Sequence, residues 1–274
     1  MIDSVHLLNN ILPFFYLIAF GSYLIDFVVG KKFLTNSKRL FLFLTLLVHA
    51  IYLIIRTIEF NHPPITTKFE IFSVLAFALI FSYFILELLT DIRWTGYFVI
   101  FFALIFQIIS SIYVQDMYEV KEVLRSRMLG FHVISALLGY AGIILSAVHG
   151  LLYLKLYKDI KLNKFGLLFK RLPSLELLEK LSFYSAIIGF ILLTIAIKIG
   201  VIWLPSAFPD FSYFDPKLLT TAVIWLVYGI GISMKIFAKW YGRKFIIFSL
   251  SGFVLTLISL LITRIFETSF HSFY

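Results

Sequence analysis

Leu181–Lys217, L-S-F-Y-S-A-I-I-G-F-I-L-L-T-I-A-I-K-I-G-V-I-W-L-P-S-A-F-P-D-F-S-Y-F-D-P-K, decides the fold. Its first part, Leu181–Leu204, carries one charge, Lys198, and has the length of roughly 20 residues that spans a bilayer core as a helix. Then Trp203–Lys217 interrupts with polar and aromatic residues and three prolines, Pro205, Pro209 and Pro216. At Leu218 the apolar residues resume. Because the run is continuously apolar rather than alternating, it reads as a helix and not as a barrel strand.

Working outward, runs of the same kind recur over Leu7–Val29, Leu40–Ile58, Ile71–Leu89, Thr95–Tyr113, Phe131–Leu154, Leu218–Ile236 and Phe245–Ile262. With Leu181–Leu204 they make about eight transmembrane helices. The composition agrees: 61% of residues are hydrophobic and 14% charged, where a soluble domain has about a quarter charged. The expected fold is all-α, a polytopic membrane protein built as a helix bundle, with residues 1–274 forming a single integral membrane domain. No internal repeat or low-complexity tract divides it.

The placement of Lys and Arg sets the orientation. Sixteen of the 24 fall in alternate connections: Lys31, Lys32, Lys38 and Arg39; Arg93; Lys155, Lys158, Lys161, Lys164, Lys170, Arg171 and Lys180; Lys235, Lys239, Arg243 and Lys244. Basic loops stay in the cytoplasm, so both termini are expected outside. The net charge of +9 is thereby a topology signal and an attraction for the lipid bilayer. It is not the basic face of a nucleic-acid binder. The expected location is the bacterial plasma membrane, as a multi-pass protein. Lys31 is the first basic residue, so the basic start of a cleavable signal is missing. The chain has no cysteine, which removes thiolate ligation and disulfide exchange from its own chemistry. Between Lys155 and Lys180, Lys alternates with Leu and Phe, predicting a surface-lying helix before Pro173. On the outer side, Met117, Val120, Val123, Leu124 and Met128 recur at helical spacing and predict an amphipathic helix over 115–129.

Candidate functional residues are few. His132, Ser135, Ala136, Gly139, Gly142, Ile143, Ser146 and Gly150 lie in one stripe of the fifth run, where small residues let another helix backbone approach. His132 caps that stripe at the outer side; His149 lies at its other end, too far along the axis to share a small site. His271 follows the last run in F-E-T-S-F-H-S-F-Y, and His62 sits in E-F-N-H-P-P; both are outside. Imidazole suits iron, copper and zinc alike. His49 lies in the middle of a span, where a buried histidine bonds across helices. Asp26 and Glu87 lie near cytoplasmic span ends within reach of basic residues, and Lys198 is close enough to the outer boundary to snorkel. Asp215 before Pro216 reads as a helix N-cap. No phosphate-binding glycine loop, H-E-x-x-H or nucleophile motif is present, so the chain is not expected to be an enzyme.

The run F-S-Y-F-D-P-K-L-L-T-T-A-V-I-W-L-V-Y-G…W-Y-G-R-K…F-H-S-F-Y, from Phe211 to the end, resembles the close of the cytochrome c assembly membrane-protein superfamily. N-H-P-P-I-T-T-K-F-E and H-V-I-S-A-L-L-G-Y-A are similar to further segments of it, in the same order. The resemblance implies haem as cofactor, with His132 and His271 as axial ligands flanking a tryptophan-rich loop. Lys198 is a candidate for a haem propionate. The loop is reduced here to F-S-Y-F-D-P-K, which keeps Asp215, Pro216 and Lys217 and loses the tryptophans. Ser233 stands where the family has a histidine. That pattern, with K-R-L-P-S-L-E-L-L-E-K-L-S-F-Y-S, resembles the HemX-type proteins of the haem-biosynthesis operon. The implied role is a negative effector of glutamyl-tRNA reductase level, with a membrane or cytosolic partner. The alternatives are a cytochrome c assembly protein that presents haem to apocytochrome c with a partner subunit, and a small-solute transporter, which would need broken helices and charge at mid-membrane.

Overall fold

The computed structural model of the chain describes residues 2–30, 32–207, 212 and 214–265. Among these, the long regular elements are all α-helices: α1 (Ile2–Val29), α2 (Lys32–Phe60), α3 (Lys68–Thr90), α4 (Gly96–Tyr113), α5 (Arg127–Lys161), the short α6 (Leu167–Arg171), α7 (Leu175–Ala207), α8 (Pro216–Phe237) and α9 (Arg243–Ile265). Seven, α1–α5, α7 and α8, are long and apolar enough to cross a membrane. The eighth expected run, Phe245–Ile262, lies within α9. The chain is thus an all-helical, multi-pass membrane protein. Large apolar side chains remain exposed along the helices, such as Phe14 at 64%, Ile54 at 59% and Ile202 at 79%. In a bilayer these face lipid tails, which are as apolar as leucine.

Helix packing divides the chain into two compact units, Met1–Leu138 with Lys170–Pro173 and Gly139–Phe169 with Ser174–Tyr274. In the first, α1 packs on α2 and α4, α3 on α4, and α2 on α3, so four antiparallel helices close a ring. At the Lys- and Arg-rich end of this ring Lys38 Nζ lies 2.5 Å from Asp26, with both side chains buried. Arg39 bonds Glu87 at 3.0 Å and Asp91 at 2.6 Å. Glu87 also accepts from the Tyr23 hydroxyl at 2.5 Å. The expectation that Asp26 and Glu87 reach basic residues therefore holds, and both are fully buried. Asp91, in the turn after α3, has its carboxyl held below the ordinary range by hydrogen bonds from Arg93 and then Arg39.

In the second unit α7 packs on α8 and α9, and α8 on α9. The small-residue stripe of α5 does what its composition predicts. A Cβ on Gly142 would come within 2.8 Å of the Gly189 backbone, and one on Gly189 within 2.9 Å of the Gly139 carbonyl, so α5 and α7 cross backbone to backbone. Next to the crossing the Ser146 hydroxyl lies 3.0 Å from the Ser182 and Ser249 hydroxyls, which ties α9 to the pair. Such bonds join helices where no hydrophobic force does.

The 115–129 segment departs from expectation. It forms an extended loop, a single 3-10 turn at Glu122–Arg125 and then the start of α5 at Arg127, not an amphipathic helix. Arg56 Nη2 donates to the Gln115 carbonyl at 2.8 Å and His62 Nε2 contacts the Met117 carbonyl at 2.8 Å. A helix would need those carbonyls for its own ladder. The segment before Pro173, expected on the cytoplasmic side, does contain a helix, but α6 is only five residues long.

Candidate functional site

The end of the first unit opposite its buried lysine is organised by Arg56, which is 2% exposed. Its guanidinium meets Glu70 at 2.8 Å and Asp116 at 3.1 Å. Glu70 is fixed in turn by the start of α3. Thr67 caps that helix, accepting from Glu70 N at 3.2 Å, while Glu70 Oε2 accepts from Thr67 N at 3.2 Å and Thr66 N at 2.8 Å. This is a reciprocal capping box, legible as T-x-x-E in the sequence. Asp116 also pairs with His6 at 3.2 Å. The sequence reading passed over this cluster, since Arg56 and Glu70 lie on opposite sides of the 61–67 turn. The capping box was the available signal.

The 61–67 turn supports α5 directly, because Pro63 is the nearest neighbour of Gly130, 3.7 Å from where its Cβ would be. Two residues on, His132 is half-buried near the α5 N-terminus, where it makes a contact of its own. His62 is 3% exposed and both its ring nitrogens face carbonyl oxygens, Pro63 at 3.0 Å and Met117 at 2.8 Å. A metal would have to displace one of these. His62 therefore reads as a pin between the 61–67 and 114–118 segments.

His49 is held at the centre of the first unit. Ser73 Oγ donates to Gln107 Oε1 at 3.1 Å, so at 3.0 Å the serine accepts from His49 Nε2. That leaves His49 Nδ1 to accept the Tyr16 hydroxyl at 2.8 Å. One tautomer satisfies the whole chain, which Gln107 continues by donating to Ser111 Oγ at 2.9 Å. His49 bonds across three helices and has both nitrogens engaged. His149 is likewise buried, with Nδ1 against the Leu145 carbonyl at 2.8 Å.

In the second unit Asp215 is the predicted N-cap. Leu218 N approaches Asp215 Oδ1 at 3.4 Å and Leu219 N donates to the Asp215 carbonyl at 3.0 Å. Pro216 follows at the first helical position, where a missing N–H costs nothing, and Lys217 continues the first turn of α8. Lys198 is exposed on α7, nine residues before its end. Trp225 Nε1 donates to Thr194 at 2.7 Å and its ring stacks on Phe190 at 5.3 Å, fixing α8 on α7 below the cap. His271 lies outside the described residues, as do most residues of the 208–213 loop. Ser233 is exposed on α8.

Residues 66–271 match the family described as Cytochrome C assembly protein. The chain is similar to the cytochrome c biogenesis protein CcsA of Mesostigma viride, 26% identical over 82% of this chain and 81% of the relative. It is similar to the CcsA protein of Guillardia theta, 28% identical over 80% and 79%. That of Welwitschia mirabilis is 24% identical over 100% and 98%. The family match begins at Thr66, in the capped turn before α3, and ends at His271, so it takes in Glu70 and Asp116, the α5–α7 crossing and the α8 cap, and the chain belongs to the cytochrome c assembly protein family.

Proposed function

We propose that the chain is a non-catalytic haem-handling membrane protein of cytochrome c assembly, which binds haem at the outer face and presents it to apocytochrome c together with a partner subunit. One observation carries this reading: a single continuous family match embraces His132, the D-P-K remnant at Asp215–Lys217 and His271. The disposition of the histidines supports it. His49, His62 and His149 are buried, whereas His132 is half-buried near the start of α5. Imidazole is a common axial donor to haem iron. His132 and His271 would hold the iron, and the bound haem would supply the group to be transferred. The chain's own part is positional. Pro63 backs the first turn of α5, two residues before His132; Asp215 caps α8 and so ends the loop that precedes it. Lys198 and Lys217 are the cations nearest in sequence to that loop for a propionate.

An absorption spectrum of the purified protein tests this reading, with His132→Ala, His271→Ala and His49→Ala alongside. A Soret band lost in the first two variants and kept in the third is the expected outcome. A band that survives both outer replacements removes the bis-histidine site.

A second reading, the HemX-type effector of glutamyl-tRNA reductase, is favoured by two departures from the assembly pattern. The loop reads F-S-Y-F-D-P-K, with phenylalanine and tyrosine where the assembly proteins carry tryptophan, and Ser233 takes the place of a histidine. Deleting the gene separates the two. Loss of all c-type cytochromes at unchanged reductase level fits assembly; raised reductase with cytochromes intact fits the effector.

A further inference from the structure

The turn between α8 and α9, K-W-Y-G-R-K at 239–244, has no part in the haem reading. Ala238 N and Trp240 N both donate to the Met234 carbonyl, at 3.0 and 3.2 Å, closing α8. Lys239 (φ 54°) and Gly242 (φ 62°) then take left-handed conformations that swing the chain back into α9. The turn lies on α5. A Cβ on Gly242 would stand 3.0 Å from the Tyr153 hydroxyl, and the Arg243 guanidinium lies 5.0 Å from the centre of the Tyr157 ring. Tyr153 and Tyr157 stack at 6.4 Å, so α5 offers a two-ring platform on which Gly242 and Arg243 rest.

This contact brings two sets of exposed cations to one end of the second unit: Lys239, Arg243 and Lys244 from the turn, Lys158 and Lys161 from the last turns of α5. Nearby carboxylates are taken. Asp159 pairs with Lys155 at 2.7 Å and Glu179 with the nearly buried Lys235. Among the described residues no ion pair neutralises the five. The same segments carry exposed rings: Phe237 at 83% and Tyr241 at 61% at the turn, and Phe165 at 53% four residues past the end of α5. Surface cations interspersed with exposed aromatics, just past the ends of membrane-spanning helices, are the composition of a headgroup-level surface.

We propose that the 239–244 turn and the end of α5 form a binding surface for anionic phospholipid headgroups in the leaflet at this end, with Arg243 held in place by Tyr157. The lysines and the arginine meet the phosphates; Phe237, Tyr241 and Phe165 sit among the glycerol and upper acyl groups. The occupant is lipid rather than an acidic protein because the rings would otherwise face water beside the bilayer.

The test is native mass spectrometry of the full chain in detergent, offered equal amounts of phosphatidylglycerol and phosphatidylcholine. The wild type is expected to retain phosphatidylglycerol preferentially, and each neutralised cation of the set K239Q, R243Q and K244Q to lower its retention by about fivefold. Tyr157→Leu keeps every charge, and with it the orientation signal, yet frees Arg243; it is expected to lower retention as R243Q does. Equal retention of the two lipids overturns the proposal. So does unchanged retention in both the triple variant and Tyr157→Leu, and an acidic cytosolic protein would then be the surface's partner.

Discussion

At the scale of the residue, the molecule is decided by a few side chains that have no room to be anything else. Gly142 is one. An alanine there would put its Cβ 2.8 Å from the Gly189 backbone, and overpacking of that kind costs about 1–3 kcal/mol. Gly150 lies in the same stripe, but its nearest neighbour is a side-chain atom at 3.4 Å. Heating the detergent-solubilised protein and following soluble fraction should therefore show Gly142→Ala melting clearly below wild type and Gly150→Ala close to it. Asp215 is another. Its replacement by alanine removes a cap worth about 0.5–2 kcal/mol, and faster amide exchange should be confined to the first turn of α8. Asp215→Asn, which can still accept, should leave exchange there nearly unchanged. If the D-P-K remnant serves haem only through this cap, the asparagine variant also keeps its Soret band.

Among the elements, the polar bonds between helices are more demanding than the apolar contacts. Arg56 links α2 to α3 and to the 114–118 segment, and is 2% exposed beside a 1% exposed Glu70. Removing one member of a buried pair leaves the other uncompensated, at about 3–5 kcal/mol; removing both with apolar groups of similar volume is nearly neutral. Arg56→Met should lower the melting temperature strongly, and adding Glu70→Gln, which removes the charge but keeps an oxygen for the capping box, should recover part of the loss. No recovery in the double variant would show that Asp116, and not Glu70, is the main partner. The same cluster explains what the sequence concealed. The long apolar runs announce their helices, and the small residues of α5 announce a close neighbour, because periodicity and residue size are local properties. The 115–129 segment has a helical pattern of apolar residues too. There the pattern loses to Arg56 and His62, distant in sequence, which take the Gln115 and Met117 carbonyls. His49 was legible as a cross-helix bond, but not its tautomer, which follows only from Ser73 being committed to Gln107. Asp215 was legible as a cap from its place before Pro216, whereas His132 stood out only as the head of the small-residue stripe and owes its expected haem role to the resemblance. The pin from His62 to the Met117 carbonyl and the contact of Pro63 with Gly130 of α5 were not legible, for they depend on which loops meet.

For the whole molecule, charge distribution and packing point the same way. Beside the Lys- and Arg-rich connections lie the buried Asp26–Lys38 pair and the buried Glu87, which the part-exposed Arg39 meets. Replacing Lys155, Lys158 and Lys161 with glutamate should disturb the orientation of the spans in a reporter-fusion map, since short-loop cations set it; an unchanged map would mean that other loops dominate. The Asp26–Lys38 pair has a bearing on biogenesis as well. Its two members flank the tight turn between α1 and α2, only twelve residues apart. Each charge alone would be expensive to pass into a bilayer, but the hairpin can neutralise them as soon as its second arm emerges from the ribosome. Arg39 has no such early companion, because Glu87 is synthesised 48 residues later. The translocon should thus release α1 and α2 together as one nascent hairpin, and hold it, still carrying an unanswered arginine, until α3 arrives.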